Sequence, residues 1–169
     1  MPVQRLNHAV LYVRDVERSV AFYREALGFE VVMGMRGAAF LQAAGSNNDH
    51  DLGLFEIGAG AGPSPAGRTS VGLYHLAWEV DTLDELERVA ARLSEMGALV
   101  GASDHSTTKA LYAQDPDGLE FEVSWLVPAA LIDDEVLAAR SSVRPLDIAA
   151  AKQRYGGQTR GGVGVSVPA

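Results

Sequence analysis

Cysteine is absent from the 169 residues, which removes disulfides, thiolate zinc sites and thiol nucleophiles from consideration. Positive charge is scarce. Lys and Arg number 14 against 22 Asp and Glu, for a formal net charge of −8. A nucleic-acid footprint would need a basic patch or stripe, so no nucleic-acid partner is expected. No apolar run approaches the roughly 18 residues that a membrane span requires. The opening "MPVQRLNHAV" enters a strand-like pattern at once, with no basic region followed by a long apolar one. The expectation is a cytoplasmic chain with no membrane partner. What is present is 47% hydrophobic and 21% charged, an ordinary globular composition, at a length that suits one domain with a substantial core.

The chain reads as one unit used twice. "RLNHAVLYV", residues 5 to 13, is aliphatic, β-branched and short enough for a strand. The period then changes in "RDVERSVAFYREALGF", where Val16, Val20, Tyr23 and Leu27 fall on one helical stripe, with Asp15 placed to cap it and Gly28 to stop it. Three short strands follow: "FEVVMGM", "AAFLQAA" and "DLGLFEI". The segment "GAGAGPSPAGRT" carries no core-forming side chains and reads as a linker over 58–70. After it the order recurs. "VGLYHLAWEV" is a strand and "DTLDELERVAARLSEMG" a helix with Leu83, Leu86, Val89, Ala90 and Leu93 on its apolar side. "ALVGAS", "KALYAQ" and "LEFEVSWLV" are strands, the last two joined by a tight Asp115-Pro116-Asp117-Gly118 turn.

Two βαβββ units, about 5–58 and 71–127, make one α+β domain over 1–127, with curved sheets lined by helices on the outside. Residues 128–169 fit neither unit. "LIDDEVLAA" and "PLDIAAAKQRY" each predict a short helix, and "GGQTRGGVGVSVPA" a flexible end.

Strand alternation singles out the polar positions. In "LEFEVSWL" Leu119, Phe121, Val123 and Trp125 share one face and Glu120, Glu122 and Ser124 the other. In "LYHLAWEV" Tyr74, Leu76, Trp78 and Val80 leave His75, Ala77 and Glu79 opposite, while His8 shares its side with Leu6, Val10 and Tyr12. Two imidazoles and one carboxylate, if they converge, form a facial triad with several metal positions open. Taken singly, a Glu or His on a polar strand face points to solvent. The 67 residues from His8 to His75 and 47 more to Glu122 are no local metal motif.

Residues 5 to 127 resemble the vicinal oxygen chelate superfamily, which holds the glyoxalase, bleomycin-resistance and extradiol dioxygenase proteins. The likeness lies in "LNHAVLYVRDVERSVAFYREALGF", "GLYHLAWEVDTLDEL" and "LYAQDPDGLEFEV". It implies a sheet cup around a metal, with His8, His75 and Glu122 at the ligand positions. Members that only sequester aromatic drugs lack those ligands. Further residues are similar to the catechol 2,3-dioxygenase-like enzymes. Tyr112, ten residues before Glu122, matches their active-site tyrosine. His50 in "NDHDLGLF" matches the histidine that serves as base, with Asp49 or Asp51 to orient it. His105 in "GASDHSTTKALY" matches a second histidine that donates a hydrogen bond to substrate. Two departures stand out: His105 is only seven residues before Tyr112, and the chain between His50 and His75 carries the Gly/Pro insertion. Such enzymes also commonly hold four units, where this chain has two.

The resemblance implies an Fe(II) enzyme, with Mn(II), Ni(II) or Zn(II) as other metals, that opens the ring of a small aromatic vicinal diol with O2 and forms a homo-oligomer such as a dimer. A competing reading is a glyoxalase-type lyase on nickel or zinc. There Glu56, nominally on one face with His50, Leu52 and Leu54, supplies a fourth protein ligand. A third is a non-catalytic drug-binding protein. No Arg or Lys lies nearer the proposed site than Lys109, which disfavours phosphorylated substrates.

Overall fold

The structure, a computed structural model, describes residues 2–3, 5–162 and 165–166. The chain divides into two units, one of residues 1–65 with 115–119, the other of 66–114 with 120–169. Each repeats the order βαβββ.

In the first unit β1 (Ala9–Val13) leads to α1 (Val16–Leu27), then β2 (Glu30–Met35), β3 (Ala38–Gln42) and β4 (Leu52–Glu56). The sheet order is β1-β4-β3-β2, with β1 parallel to β4 and the other pairs antiparallel. The Asp15 side chain accepts the Arg18 N–H at the start of α1, and Gly28 ends it at φ 71°, a left-handed turn that suits glycine. The buried side of α1 is Val16, Ser19, Phe22, Tyr23 and Ala26. It is rotated from the Val16, Val20, Tyr23, Leu27 stripe expected from periodicity, because the larger Phe22 ring takes the core. Leu11 and Val13 of β1, Ala39 and Leu41 of β3, and Leu52 and Leu54 of β4 supply further buried apolar side chains.

The turn Asp115–Leu119 belongs to this unit and is built around one carboxylate. Asp115 Oδ1 accepts the N–H of Asp117 and of Leu119, and Oδ2 accepts the Tyr23 hydroxyl at 3.2 Å. Asp117 in turn accepts from the backbone and guanidinium of Arg14, both at 2.8 Å. Burial raises the Asp115 carboxyl above its ordinary value, opposed by the two backbone N–H bonds, and burial followed by the Asp115 charge holds Tyr23 well above the usual phenol range. The Asp-Pro-Asp-Gly motif is thus a structural clasp.

The second unit holds β5 (Leu76–Glu79), α2 (Leu83–Glu95), β6 (Leu99–Asp104), β7 (Thr108–Gln114) and β8 (Glu120–Leu126). Its sheet runs β5-β8-β7-β6, with β5 parallel to β8 and a further short strand beyond β6. Phe121, Val123 and Trp125 are buried to 2% exposure or less, while Glu120 and Glu122 stay half-buried on the other face. The chain then adds a 3-10 turn (Ala129–Leu131), α3 (Asp134–Ala138), β9 (Arg144–Pro145) and α4 (Ile148–Tyr155). α4 packs beside α2, where Lys152 bridges Asp84 and Glu87 at 2.7 Å each. β9, which periodicity did not predict, covers the edge of β6.

The expected flexible end is corrected over residues 156–162. Asp84 N–H donates to the Gly157 carbonyl, Gly161 N–H to the Asp81 carbonyl, and Trp125 Nε1 to the Thr159 carbonyl at 3.1 Å. Residues 163–164 and 167–169 of that expectation lie outside the described residues. The glycines are there for close approach, since a Cβ at Gly161 would overlap the Leu126 carbonyl oxygen. Gly161→Ala should therefore lower stability by about 2 kcal/mol, read as a fall in Tm. Gly60→Ala, where a Cβ meets open space, should not.

Among the described residues no helix is long and apolar enough to cross a membrane.

Candidate active site

In each unit a histidine immediately precedes the first strand: His8 before Ala9 and His75 before Leu76. The parallel pairing then fixes what lies beside it. In the second unit Ala77 of β5 pairs with Glu122 of β8, which pairs with Tyr112 of β7, which pairs with Gly101 of β6. The ten-residue interval between Tyr112 and Glu122 is thus a cross-strand pair, the hairpin folding the two side chains onto one face.

His75 and Glu122 meet there. His75 Nε2 stands 3.4 Å from Glu122 Oε2, with the side chains 23% and 15% exposed. That is longer than an ordinary N–H···O hydrogen bond. Two donors sharing a small divalent ion at bonds of about 2.1 Å sit about 3.0 to 3.4 Å apart. His75 Nδ1 is buried with no hydrogen-bond partner among the described residues. One imidazole nitrogen and one carboxylate oxygen, half-buried at cation-sharing distance, fit a divalent metal.

Around this pair stand two tyrosines and a second histidine. The Tyr112 hydroxyl is 2.8 Å from His105 Nε2, and the Tyr112 ring centroid is 6.0 Å from that of His75. Burial, then the charges of Glu122, Tyr74 and Glu120, raise Tyr112 above the usual phenol value, so it remains a neutral hydrogen-bond donor. Tyr74 lies before the start of β5 and does not join the apolar face expected from alternation. It is 68% exposed, its ring is 4.6 Å from His75, and its hydrogen bond to Glu120, with that carboxylate's charge, raises its hydroxyl above the ordinary value against the opposing charge of Arg68. Tyr74, Glu120 and Arg68 were missed by sequence reasoning. Their adjacency to His75 and Glu122 was the available signal for the first two, and Arg68 had none.

In the first unit the His8 and His50 rings meet tilted at 46° with centroids 4.5 Å apart, and Phe40 meets His50 edge-on at 5.0 Å. His8 Nδ1 lies 2.7 Å from Asn7 Oδ1. An amide oxygen only accepts, so that nitrogen carries the proton and Nε2 keeps its lone pair, the form a metal ligand needs. His50 Nδ1 lies 2.9 Å from Asp49 Oδ2, which likewise leaves Nε2 free to accept a proton. Asp49 is therefore the carboxylate that His50 contacts. Asp51 instead holds the loop, accepting from Ala43 N, Ser46 Oγ and Asn48 Nδ2 at 2.7 to 2.8 Å. The face opposite α1 carries Val10, Tyr12, Met33, Phe40 and Phe55, with Met33 beside Phe40, Phe40 beside Gly53, and Gly53 beside Val10. It is an apolar sheet surface that runs toward the two imidazoles.

Glu56 is corrected. Its carboxylate accepts the Val16 N–H at 3.1 Å and so caps the first turn of α1. It ends β4 at the opposite end from His50, on the face of the fully buried Leu52 and Leu54. The register also shows that the first-unit counterpart of Glu122 is Gly53, paired with Val10 as Glu122 is with Ala77. Lys109, expected as the cation nearest the site, is 3% exposed and is bound to Asp104 and the Ser106 carbonyl. It alternates to the face away from Tyr112. Among the described residues no three His, Asp or Glu side chains form a metal-holding group. The structure brings together His75 with Glu122, His8 with His50, and His105 with Tyr112.

The family model described as "Glyoxalase/Bleomycin resistance protein/Dioxygenase superfamily" matches residues 5–123. A catechol-2,3-dioxygenase of Bacillus subtilis (strain 168) is 36% identical over 118 residues, 70% of this chain and 40% of that protein. An iron-dependent extradiol dioxygenase of Rhodococcus jostii (strain RHA1) is 28% identical over 156 residues, 82% of this chain and 48% of that protein. The chain thus spans less than half the length of these two relatives. Among solved structures, a glyoxylase/bleomycin resistance protein/dioxygenase domain from Frankia sp. EAN1pec superposes with a TM-score of 0.61 at 22% identity, covering 76% of this chain and 96% of that one. That likeness concerns the fold.

Proposed function

The chain belongs to the glyoxalase/bleomycin resistance protein/dioxygenase superfamily, and from that premise we propose that it is a metal-dependent extradiol dioxygenase that opens the ring of a catechol-like vicinal diol with O2. One observation carries the reading. Tyr112 stands beside Glu122 across the hairpin with its hydroxyl on His105 Nε2, a proton-handling pair that a drug-sequestering protein has no use for. The two relatives that are named dioxygenases support it.

The proposed ligands are His8, His75 and Glu122, and the proposed metal is Fe(II). Fe(II) held by these residues would supply the Lewis acidity and the redox chemistry that a diol and O2 require. The protein residues do the rest. His50 Nε2, the ring nitrogen left open by the Nδ1 contact to Asp49, accepts a proton from the diol. Tyr112, kept protonated by burial and nearby carboxylates, donates a hydrogen bond to a substrate oxygen, and His105 holds the other side of that hydroxyl. The apolar face of Val10, Phe40 and Phe55 suits an aromatic ring. A four-ligand lyase site on nickel or zinc is disfavoured because Glu56 is committed to the α1 backbone.

The test is metal content of protein purified without air, followed by oxygen uptake over a panel of catechols. The expected result is about one iron per chain, diol-dependent uptake and a yellow ring-opened product. Nickel or zinc with turnover that consumes no oxygen would overturn the reading in favour of a lyase. Tight aromatic binding without any metal requirement would leave a binding protein.

A further inference from the structure

His105 is flanked by two residues that the C-terminal segment holds. β9 pairs with the end of β6, Ser103 with Pro145 and Asp104 with Arg144. Ser106, 2% exposed, donates its hydroxyl to the Val136 carbonyl of α3 at 2.6 Å. Its φ of 68° makes it the one non-glycine residue with positive φ among those described, a conformation a serine keeps only when its surroundings impose it. Asp104 Oδ1 accepts the Ser106 N–H at 2.7 Å, closing a small ring around His105.

Lys109 locks this ring. Its ammonium, 3% exposed, donates to Asp104 Oδ1 at 2.6 Å and to the Ser106 carbonyl at 2.8 Å, so one group grips both neighbours of His105. The Tyr155 ring of α4 lies 5.4 Å from that nitrogen, an attractive cation–π distance. A cavity of about 300 Å3 remains among Lys109, Val136, Arg144 and Tyr155. It is an open, largely polar groove bordered by the buried Val136, Ala151 and Tyr155. The His105 N–H donates to the Thr108 carbonyl, its carbonyl accepts the Thr107 N–H, and its imidazole reaches the Tyr112 hydroxyl.

We infer that Lys109 and Ser106, braced by α3, β9 and α4, are positioning residues that aim His105 at Tyr112, so that the C-terminal segment is part of the catalytic apparatus. The inference rests on the proposed function for the role of His105, but the aim of the imidazole is measurable without turnover. The chain has four histidines, few enough to assign by long-range 1H–15N NMR on the full-length metal-free chain. In the parent, His105 should show a single tautomer with Nε2 hydrogen-bonded. In Lys109→Met, and independently in Ser106→Ala, its nitrogens should move to averaged shifts while His8, His50 and His75 stay put.

In the metal-loaded enzyme the same variants should lower kcat roughly tenfold with KM within about twofold, as loss of alignment rather than of binding predicts. Ser106→Ala removes only a hydroxyl and keeps the test alive if Lys109→Met does not fold. Unchanged His105 shifts in a folded variant would overturn the inference, as would all four histidines moving together, which marks a merely structural role. A parent enzyme that consumes no oxygen with any diol would instead overturn the proposed function and leave the NMR result standing.

Discussion

Replacing Glu122 with alanine should strip the chain of its divalent metal and lower kcat/KM by about 10^3 or more, roughly 4 kcal/mol of lost transition-state stabilisation. Among the described residues Glu122 is the carboxylate that His75 faces at cation-sharing distance; without it His75 is left as the second unit's sole proposed ligand. The fold should survive. The neighbours Phe121 and Val123 carry the burial of β8 at 2% and 1% exposure, while Glu122 projects from the opposite face. Metal analysis after dialysis, with Tm as the fold control, decides the matter. Two further variants sharpen it. Glu120→Ala, two residues away on the same face, should keep its metal, since that carboxylate is engaged with Tyr74. Glu56→Gln should also keep it and lose a little stability at the α1 cap. Metal lost in both Glu122→Ala and Glu56→Gln would make Glu56 a ligand beside Glu122 and revive the four-ligand lyase.

The contrast between these two glutamates shows what alternation can and cannot supply. Both were assigned to strand faces by parity. Glu122 lies inside β8, where Phe121, Val123 and Trp125 anchor the parity to a buried face. Glu56 was counted from His50, which lies in a loop before β4 begins at Leu52, so the count had no anchor. Parity says which residues share a side; only packing says which side is covered. Tyr74 failed for the same reason, since β5 begins at Leu76 and alternation does not extend back through a loop.

The repeated βαβββ order was legible because its signals are local: the Asp15 cap, the left-handed Gly28, and the apolar stripes of the two helices. β9 was not, because two residues containing a proline become a strand only by lying against β6. The glycine-rich stretch after Tyr155 misled by composition. Glycine marks a mobile chain and a closely packed one alike, and at Gly157 and Gly161 the neighbours Asp84 and Leu126 show it is the latter. The Lys109 clasp was equally hidden, since a lysine at 3% exposure is an exception that its partners explain and its sequence does not.

His50→Phe should leave metal content near that of the parent while kcat falls about 10^2- to 10^4-fold, the range expected for a lost general base. Phenylalanine is chosen because His50 packs: its ring sits 5.0 Å from Phe40 and 4.5 Å from His8. A phenyl ring can keep those contacts, yet it has no nitrogen to take a proton. The Nδ1 contact to Asp49 leaves Nε2 as the accepting atom, and a glutamine there should be as inactive as phenylalanine, since its amide is no base near pH 7. Asp49 is 94% exposed, so Asp49→Asn should cost only a few-fold, water replacing much of its orienting effect. The pattern sought is a large loss in both His50 variants, a small one in Asp49→Asn, and KM for the diol nearly constant in all three. A His50→Phe chain that holds its metal and turns over at the parental rate would make His50 a packing residue and move the base elsewhere. A chain that loses its metal as well would show that His50 acts by holding His8 in place.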